Sequence, residues 1–228
     1  MNTPRVISVT SRKGGAGKST VSMLLASALA VSGDKKVLLI DSDNQNTVAD
    51  TRDLETAGLK QETDTPPTPP YTIESVPPQY LQVHLQAHAS KYDVILIDMP
   101  RITDDSQESA AVQSMSFCDS ILVPVLSGRA DSMSAQAFIE ILKGIKAYKK
   151  KHDFPFNFMG FMNKETQHRK GVDEKAYMER LGLPMMDNSL RDLKMFLTPS
   201  TYTSFLDDAQ KSKRFKPFYD EFCKNFRL

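Results

Sequence analysis

Apolar residues gather in short unbroken runs, separated by longer stretches in which they recur every three or four positions. The runs are VISV (6–9), VLLI (37–40), VILI (94–97), ILVPV (121–125) and FNFMGFMN (156–163). Runs of this length, rich in β-branched residues, predict strands, and their lack of alternation predicts burial on both faces, as in a parallel sheet. The stretches between them predict helices. From Lys18, the residues Val21, Leu24, Leu25, Ala28 and Leu29 keep helical spacing up to the turn at Gly33-Asp34, and further helices are expected over 44–60, 81–90, 132–151 and 172–181. Six of the 13 prolines lie between Pro66 and Pro78, which predicts a surface loop framing a short strand over 71–76. LPMMD (183–187) reads as another short strand, followed by two helical stretches. Strand and helix alternate almost throughout, so the expected fold is α/β: a doubly wound, mostly parallel sheet with helices on both faces. No repeat or compositional break divides residues 1–228, which are expected to form one domain.

Composition changes this picture little. Charged and aromatic fractions of 25% and 8% are those of an ordinary globular protein. The longest mostly apolar stretch, VSMLLASALAV (21–31), is far below the roughly 20 residues that span a bilayer, and MNTPRVISVT lacks a signal-peptide pattern. Cys118 and Cys223 are far apart and match no metal spacing; they read as reduced thiols, and the expected location is cytoplasmic. Charge distribution adds more. Residues 1–141 hold 11 Lys/Arg and 17 Asp/Glu, a net −6, whereas residues 142–228 hold 18 and 11, a net +7. That asymmetry fits either a polyanion-binding face or a set of solvated helix faces.

The chemistry concentrates in SRKGGAGKST (11–20), a glycine-rich turn between a strand and a helix. Such a turn presents backbone N–H groups to phosphate, and glycine lets the backbone curl around the anion without Cβ clashes. Lys18 at the helix start reaches the β- and γ-phosphates, and the Ser19 hydroxyl is placed to ligate Mg²⁺. The usual G-x-x-x-x-G-K-[ST] pattern wants glycine where Arg12 stands, and Lys13 supplies a second lysine. In this respect the loop resembles the deviant Walker A motif of the ParA/MinD family of ATPases, in which the lysine matching Lys13 is the signature lysine.

The resemblance implies an ATP hydrolase of weak intrinsic activity that forms a homodimer with ATP sandwiched between subunits. Lys18 serves its own nucleotide, while Lys13 crosses to the partner's phosphates, stabilising transition-state charge as an arginine finger does. ATP and Mg²⁺ are the implied cofactors, with Lys13, Gly14, Gly15, Ala16, Gly17, Lys18, Ser19 and Thr20 forming the loop that holds them. IDSDNQ (40–45) resembles the family's D-x-D-P-Q, with Asn44 replacing the proline; by resemblance Asp43 orients the attacking water and Asp41 stands near the Mg²⁺. Asp98 in VILIDMP looks like the Walker B acid that holds Mg²⁺ through water. Each acid alone also fits a helix cap after a strand. Asn163 ends its strand where the family often places an adenine-contacting asparagine, a position that equally suits a turn residue.

Farther along, LRDLKMFLTPS (190–200) resembles the family's P-R-N-V-R-L-S-E-A-P-S through Arg191, Lys194, Pro199 and Ser200, but not at Phe196 or Leu197. ParA-like members bind DNA without sequence preference when ATP-bound, and a ParB-like partner stimulates hydrolysis. Lys194 matches a basic position linked to DNA binding, and KSKRFK adds Lys211, Lys213, Arg214 and Lys216. These residues imply salt-sensitive, sequence-blind phosphate contacts, a role in DNA or plasmid partition and association with the nucleoid. Two alternatives stay open: a MinD-like membrane-positioning ATPase, and a nucleotide-switched scaffold with negligible turnover. The first would use the C-terminal aromatics Phe215, Phe218, Tyr219, Phe222 and Phe226, whose helical spacing fits equally well a face packed on the domain. His84 and His88 have the i, i+4 spacing of a metal pair, but no third ligand is evident and the expectation is placement on the surface.

Overall fold

Seven parallel strands line up in the order β3-β2-β4-β1-β5-β6-β7 in the computed structural model, which describes residues 3–102, 106–126, 132–165, 172–191 and 194–228. They are β1 (Arg5–Val9), β2 (Val37–Asp41), β3 (Thr72–Ser75), β4 (Val94–Asp98), β5 (Ser120–Leu126), β6 (Asn157–Glu165) and β7 (Leu190–Arg191). The helices are α1 (Lys18–Ser27), α2 (Thr47–Glu62), α3 (Leu81–His88), α4 (Ser106–Met115), α5 (Ser132–Lys151), α6 (Val172–Leu181) and α7 (Ala209–Phe226). This is the doubly wound α/β fold that the strand patterning predicts. Its cause is visible strand by strand: Ile7, Val9, Val37, Leu39, Val94 and Leu96 enter one buried cluster, while Val6, Leu38, Ile40, Ile95 and Ile97 enter the cluster on the other face. Side chains alternate across a strand, so only an uninterrupted apolar run can feed both layers.

Three elements differ from expectation. Helix α4 leaves little trace in the sequence; its SQESAAVQSM is mostly small and polar, and it reaches the core through Ala111 and Met115. LPMMD forms only an isolated bridge, Gly160 to Met185, beside β6. The approach is so close that a Cβ on Gly160 would collide with the Met185 sulfur. The last strand is instead the two-residue β7, too short to leave a periodic signal.

Helix α7 closes the first layer. Asp208 caps it by accepting from the backbone N–H groups of Gln210 and Lys211. Phe215, Phe218, Phe222 and Phe226 are buried, Phe218 against Phe161 with ring centroids 4.7 Å apart. A polar clamp ties this side together. Arg52 of α2 lies between the rings of Tyr71 and Tyr202, donating to the Tyr71 carbonyl and to both oxygens of Thr201. Glu55 accepts from the Thr201 backbone N–H at 2.7 Å, and Ser27 donates to the Ser200 carbonyl at 2.9 Å. A buried guanidinium satisfied in this way fixes α2, the start of β3 and residues 200–202 relative to one another.

Candidate nucleotide-binding site

The loop over residues 11–17 leaves β1 at the carboxyl edge of the sheet, where open α/β folds bind ligands. Gly15 and Gly17 have φ of +71° and +85°, in the left-handed region where only glycine is unstrained. Ser11 is buried, and its hydroxyl accepts from the Lys13 N–H at 3.0 Å, fixing the first bend. The two lysines then diverge. Lys18 is only 8% exposed at the base of the loop, whereas Lys13 is half-buried at its lip. Val21 donates to the Gly17 carbonyl, so α1 starts directly from the loop and turns its N-terminal amides and dipole toward it.

Strand register brings the acids together. Asp41 on β2 is the register partner of Asp98 on β4, and Asp98 is also the partner of Val9 on β1, two residues before the loop. Asp98 is fully buried, and desolvation pushes its carboxyl up to about 7; the Ser19 hydroxyl and the Lys18 charge offset part of this, while Asp41 and Asp43 add to it. One Asp98 oxygen, Oδ2, is buried with no hydrogen-bond partner. Ser22 on α1 approaches the other at 3.5 Å, beyond good hydrogen-bond length. An orphaned carboxylate oxygen beside a serine hydroxyl is a hard-oxygen donor set suited to Mg²⁺.

Asp41 does a different job with one of its oxygens. Oδ2 accepts from the backbone N–H groups of Val48 and Ala49 at 2.9 and 3.1 Å, capping α2, while Oδ1 takes a long 3.3 Å contact from the Asp43 N–H. Burial nevertheless raises its carboxyl above the usual range. Asp43 is half-buried, and its Oδ1 accepts from Gln45 at 3.2 Å, while Asn44 is exposed. Asn163 is 5% exposed and donates from Nδ2 to the Ala16 carbonyl at 2.7 Å, so here its amide braces the loop from behind. Two basic side chains escaped sequence reasoning. The Arg101 guanidinium lies 3.5 Å from where a Cβ on Gly14 would stand, and Lys164 Nζ donates to the Gly15 carbonyl at 2.8 Å. The only hint of either was adjacency, Arg101 three residues after Asp98 and Lys164 directly after Asn163.

The other marked positions resolve separately. Phe196, Phe205 and Phe215 form a three-ring cluster, Phe196 stacked on Phe205 at 5.6 Å and Phe215 edge-on to Phe205 at 6.2 Å, and so join Lys194 to the basic start of α7. Lys211 lies over the Phe205 ring at 4.8 Å and Lys216 pairs with Asp220 at 2.6 Å, whereas Lys194, Lys213 and Arg214 are exposed. His84 Nε2 lies 2.7 Å from a Glu74 carboxylate oxygen and its ring stacks on His88, and no group of three metal-ligating side chains occurs among the described residues. Both cysteines are free, and burial pushes the Cys118 thiol up to about 12. Among the described residues, no helix is long and apolar enough to cross a membrane.

A parallel sheet carrying a phosphate loop after its first-made strand, with acids ending the neighbouring strands, defines a P-loop nucleotide hydrolase. The chain belongs to the CobQ/CobB/MinD/ParA nucleotide-binding domain family, whose model matches residues 7–197, and it is a ParA/MinD-type ATPase. It is 27% identical, over 187 residues, to the maintenance of carboxysome distribution protein A of Halothiobacillus neapolitanus, covering 81% of this chain and 78% of that protein. The fold matches the ATP complex of a single-residue variant of Cyanothece McdA with a TM-score of 0.71 at 16% identity, covering 100% and 98% of the two chains. It also matches a putative plasmid partition protein of Borrelia burgdorferi bound to AMPPNP, with a TM-score of 0.66 at 18% identity, covering 97% and 99%.

Proposed function

We propose that this chain is a ParA-type positioning ATPase that dimerises around ATP–Mg²⁺, binds DNA without sequence preference in that state, and is released when a partner protein stimulates hydrolysis. The observation that carries this reading is the unequal burial of the loop's two lysines. Lys18, 8% exposed, is committed to its own phosphates, while half-buried Lys13 keeps an ammonium available to a second subunit. Mg²⁺, held by Ser19 and Asp98 with Asp41 close by, would screen the phosphate charge. Asp43, partly open to solvent, orients the attacking water. The cargo belongs to the class that the relatives' names cover, a plasmid or a protein-bound body such as a carboxysome.

The exposed cations Lys194, Lys213 and Arg214 form the proposed DNA face, next to the phenylalanine cluster. Lys211 and Lys216 contribute less, since one packs on an aromatic ring and the other is neutralised by Asp220. A membrane role finds less support, because the aromatic face of α7 that would enter lipid is spent on the core. The deciding experiment is co-sedimentation with DNA and with anionic liposomes, each with ATP and with ADP; ATP-dependent recovery on liposomes alone would refute the DNA reading. Lys213→Glu with Arg214→Glu should weaken DNA binding by roughly tenfold or more and leave dimerisation intact, with the salt slope of the remaining binding falling by about 0.9 for each phosphate no longer neutralised. Asp43→Ala should bind ATP normally, slow hydrolysis by roughly 10²-fold or more and leave the dimer trapped on DNA. Hydrolysis at the wild-type rate would remove Asp43 from this role.

A further inference from the structure

At the carboxyl end of β6, two consecutive side chains grip two consecutive carbonyls of the phosphate loop. Asn163 Nδ2 donates to the Ala16 carbonyl at 2.7 Å, and Lys164 Nζ donates to the Gly15 carbonyl at 2.8 Å. The backbone is arranged for this grip. Lys164 has φ of +54°, in the left-handed region that disfavours a residue with a Cβ. Its N–H donates to Asn163 Oδ1 at 3.0 Å, so the Asn163 amide is oriented with Nδ2 toward the loop. Glycine at 17 is required by the same contact, because a Cβ there would lie 2.5 Å from Asn163 Nδ2.

A trans peptide unit is planar, so its C=O and N–H point in opposite directions. The Gly15 carbonyl shares a plane with the Ala16 N–H, and the Ala16 carbonyl with the Gly17 N–H. Drawing both carbonyls toward β6 therefore turns both N–H groups away from it. Free space lies next to Gly15, where an added Cβ would meet nothing within 4 Å. Oriented amides of this kind make the anion-binding concavity of a phosphate loop.

We propose that Lys164 is a positioning residue for the nucleotide phosphates: with Asn163 it holds the Gly15 and Ala16 carbonyls, and so aims the Ala16 and Gly17 amides, before nucleotide arrives. The inference rests on residues 11–20 being the nucleotide loop. Preorganisation of this kind reduces the ordering cost of binding and shows as affinity.

The test uses the full chain and a fluorescent ATP analogue, titrated into wild type, Lys164→Met, Lys164→Arg and Lys18→Ala, with melting curves recorded without nucleotide. Lys164→Met should bind about five- to ten-fold more weakly, because the loop must then be ordered on binding, with its nucleotide-free melting point little changed because the contact is exposed. Lys164→Arg, which restores a cationic donor, should recover affinity to within about two-fold. Unchanged affinity in Lys164→Met, equal weakening in both variants, or a weakening that tracks a lower melting point would each overturn the proposal. Failure of the loop reading shows separately, as no binding by wild type or wild-type binding by Lys18→Ala.

Discussion

Lys13→Ala is expected to keep ATP binding while losing ATP-dependent dimerisation, and with it hydrolysis by roughly 10³-fold, the lower end of what a cation supplied in trans contributes. The reason is division of labour within one loop. Lys18 and the amides around it remain to hold the nucleotide in its own subunit, and Lys18 is buried where it also offsets the Asp98 charge. The Lys13 backbone stays fixed through its N–H to Ser11, so alanine removes the ammonium and leaves the bend in place. Sedimentation with a slowly hydrolysed ATP analogue, alongside single-turnover hydrolysis, separates the two effects. A variant that dimerises and hydrolyses like wild type would reduce the site to an ordinary phosphate loop.

Asp98→Asn has the largest expected effect on stability, and its size depends on pH. The folded-state carboxyl is raised from 3.8 to about 7, so the folded chain holds this proton more tightly than the unfolded chain. Its stabilising contribution is complete below about pH 4 and is lost as pH rises through about 7. At about 1.4 kcal/mol for each tenfold change in proton affinity, the wild type forgoes up to about 4 kcal/mol by pH 8. Asparagine carries no charge to desolvate. The nucleotide-free variant should therefore be more stable than wild type at pH 8, with the advantage shrinking toward pH 5, while Mg²⁺-dependent hydrolysis is lost. Thermal melts at the two pH values check this, and an equal difference at both would show that Asp98 does not titrate in this window. On the proposed reading the same desolvated charge would stabilise a bound Mg²⁺, so that resting stability is exchanged for metal affinity.

Much of this site was legible because its parts lie on short, local signals. VILID and VLLID announce buried strands ending in acids, and the glycine loop announces itself by spacing. What stayed hidden depends on crossovers. Asn163 and Ala16 are 147 residues apart, and no periodicity connects them, so a strand-end asparagine could be assigned equally to a base or to a turn. Asp41 reads as a site acid, yet one of its oxygens serves a helix seven residues on. Arg52 stands in a polar stretch that suggests solvent but is 9% exposed, because two tyrosines from distant segments enclose it. The C-terminal aromatics had the spacing of a buried face and of a lipid-facing one, and packed partners distant in sequence, such as Phe161 and Phe196, separate these readings.

The order of strands also governs when the loop comes into being. β1 is made before the other strands of this sheet, yet its neighbours are β4 and β5, with Val9 beside Asp98 on one flank and Leu122 on the other. Before those residues are synthesised, β1 has no strand to join and the turn after it has no edge to stand on. A nascent chain ending in the proline-rich segment carries every residue from Ser11 to Thr20 but has nothing to shape them. Closing such distant pairings is slow and leaves an apolar strand exposed meanwhile. The loop after β1 thus takes its shape only once β4 and β5 have been made.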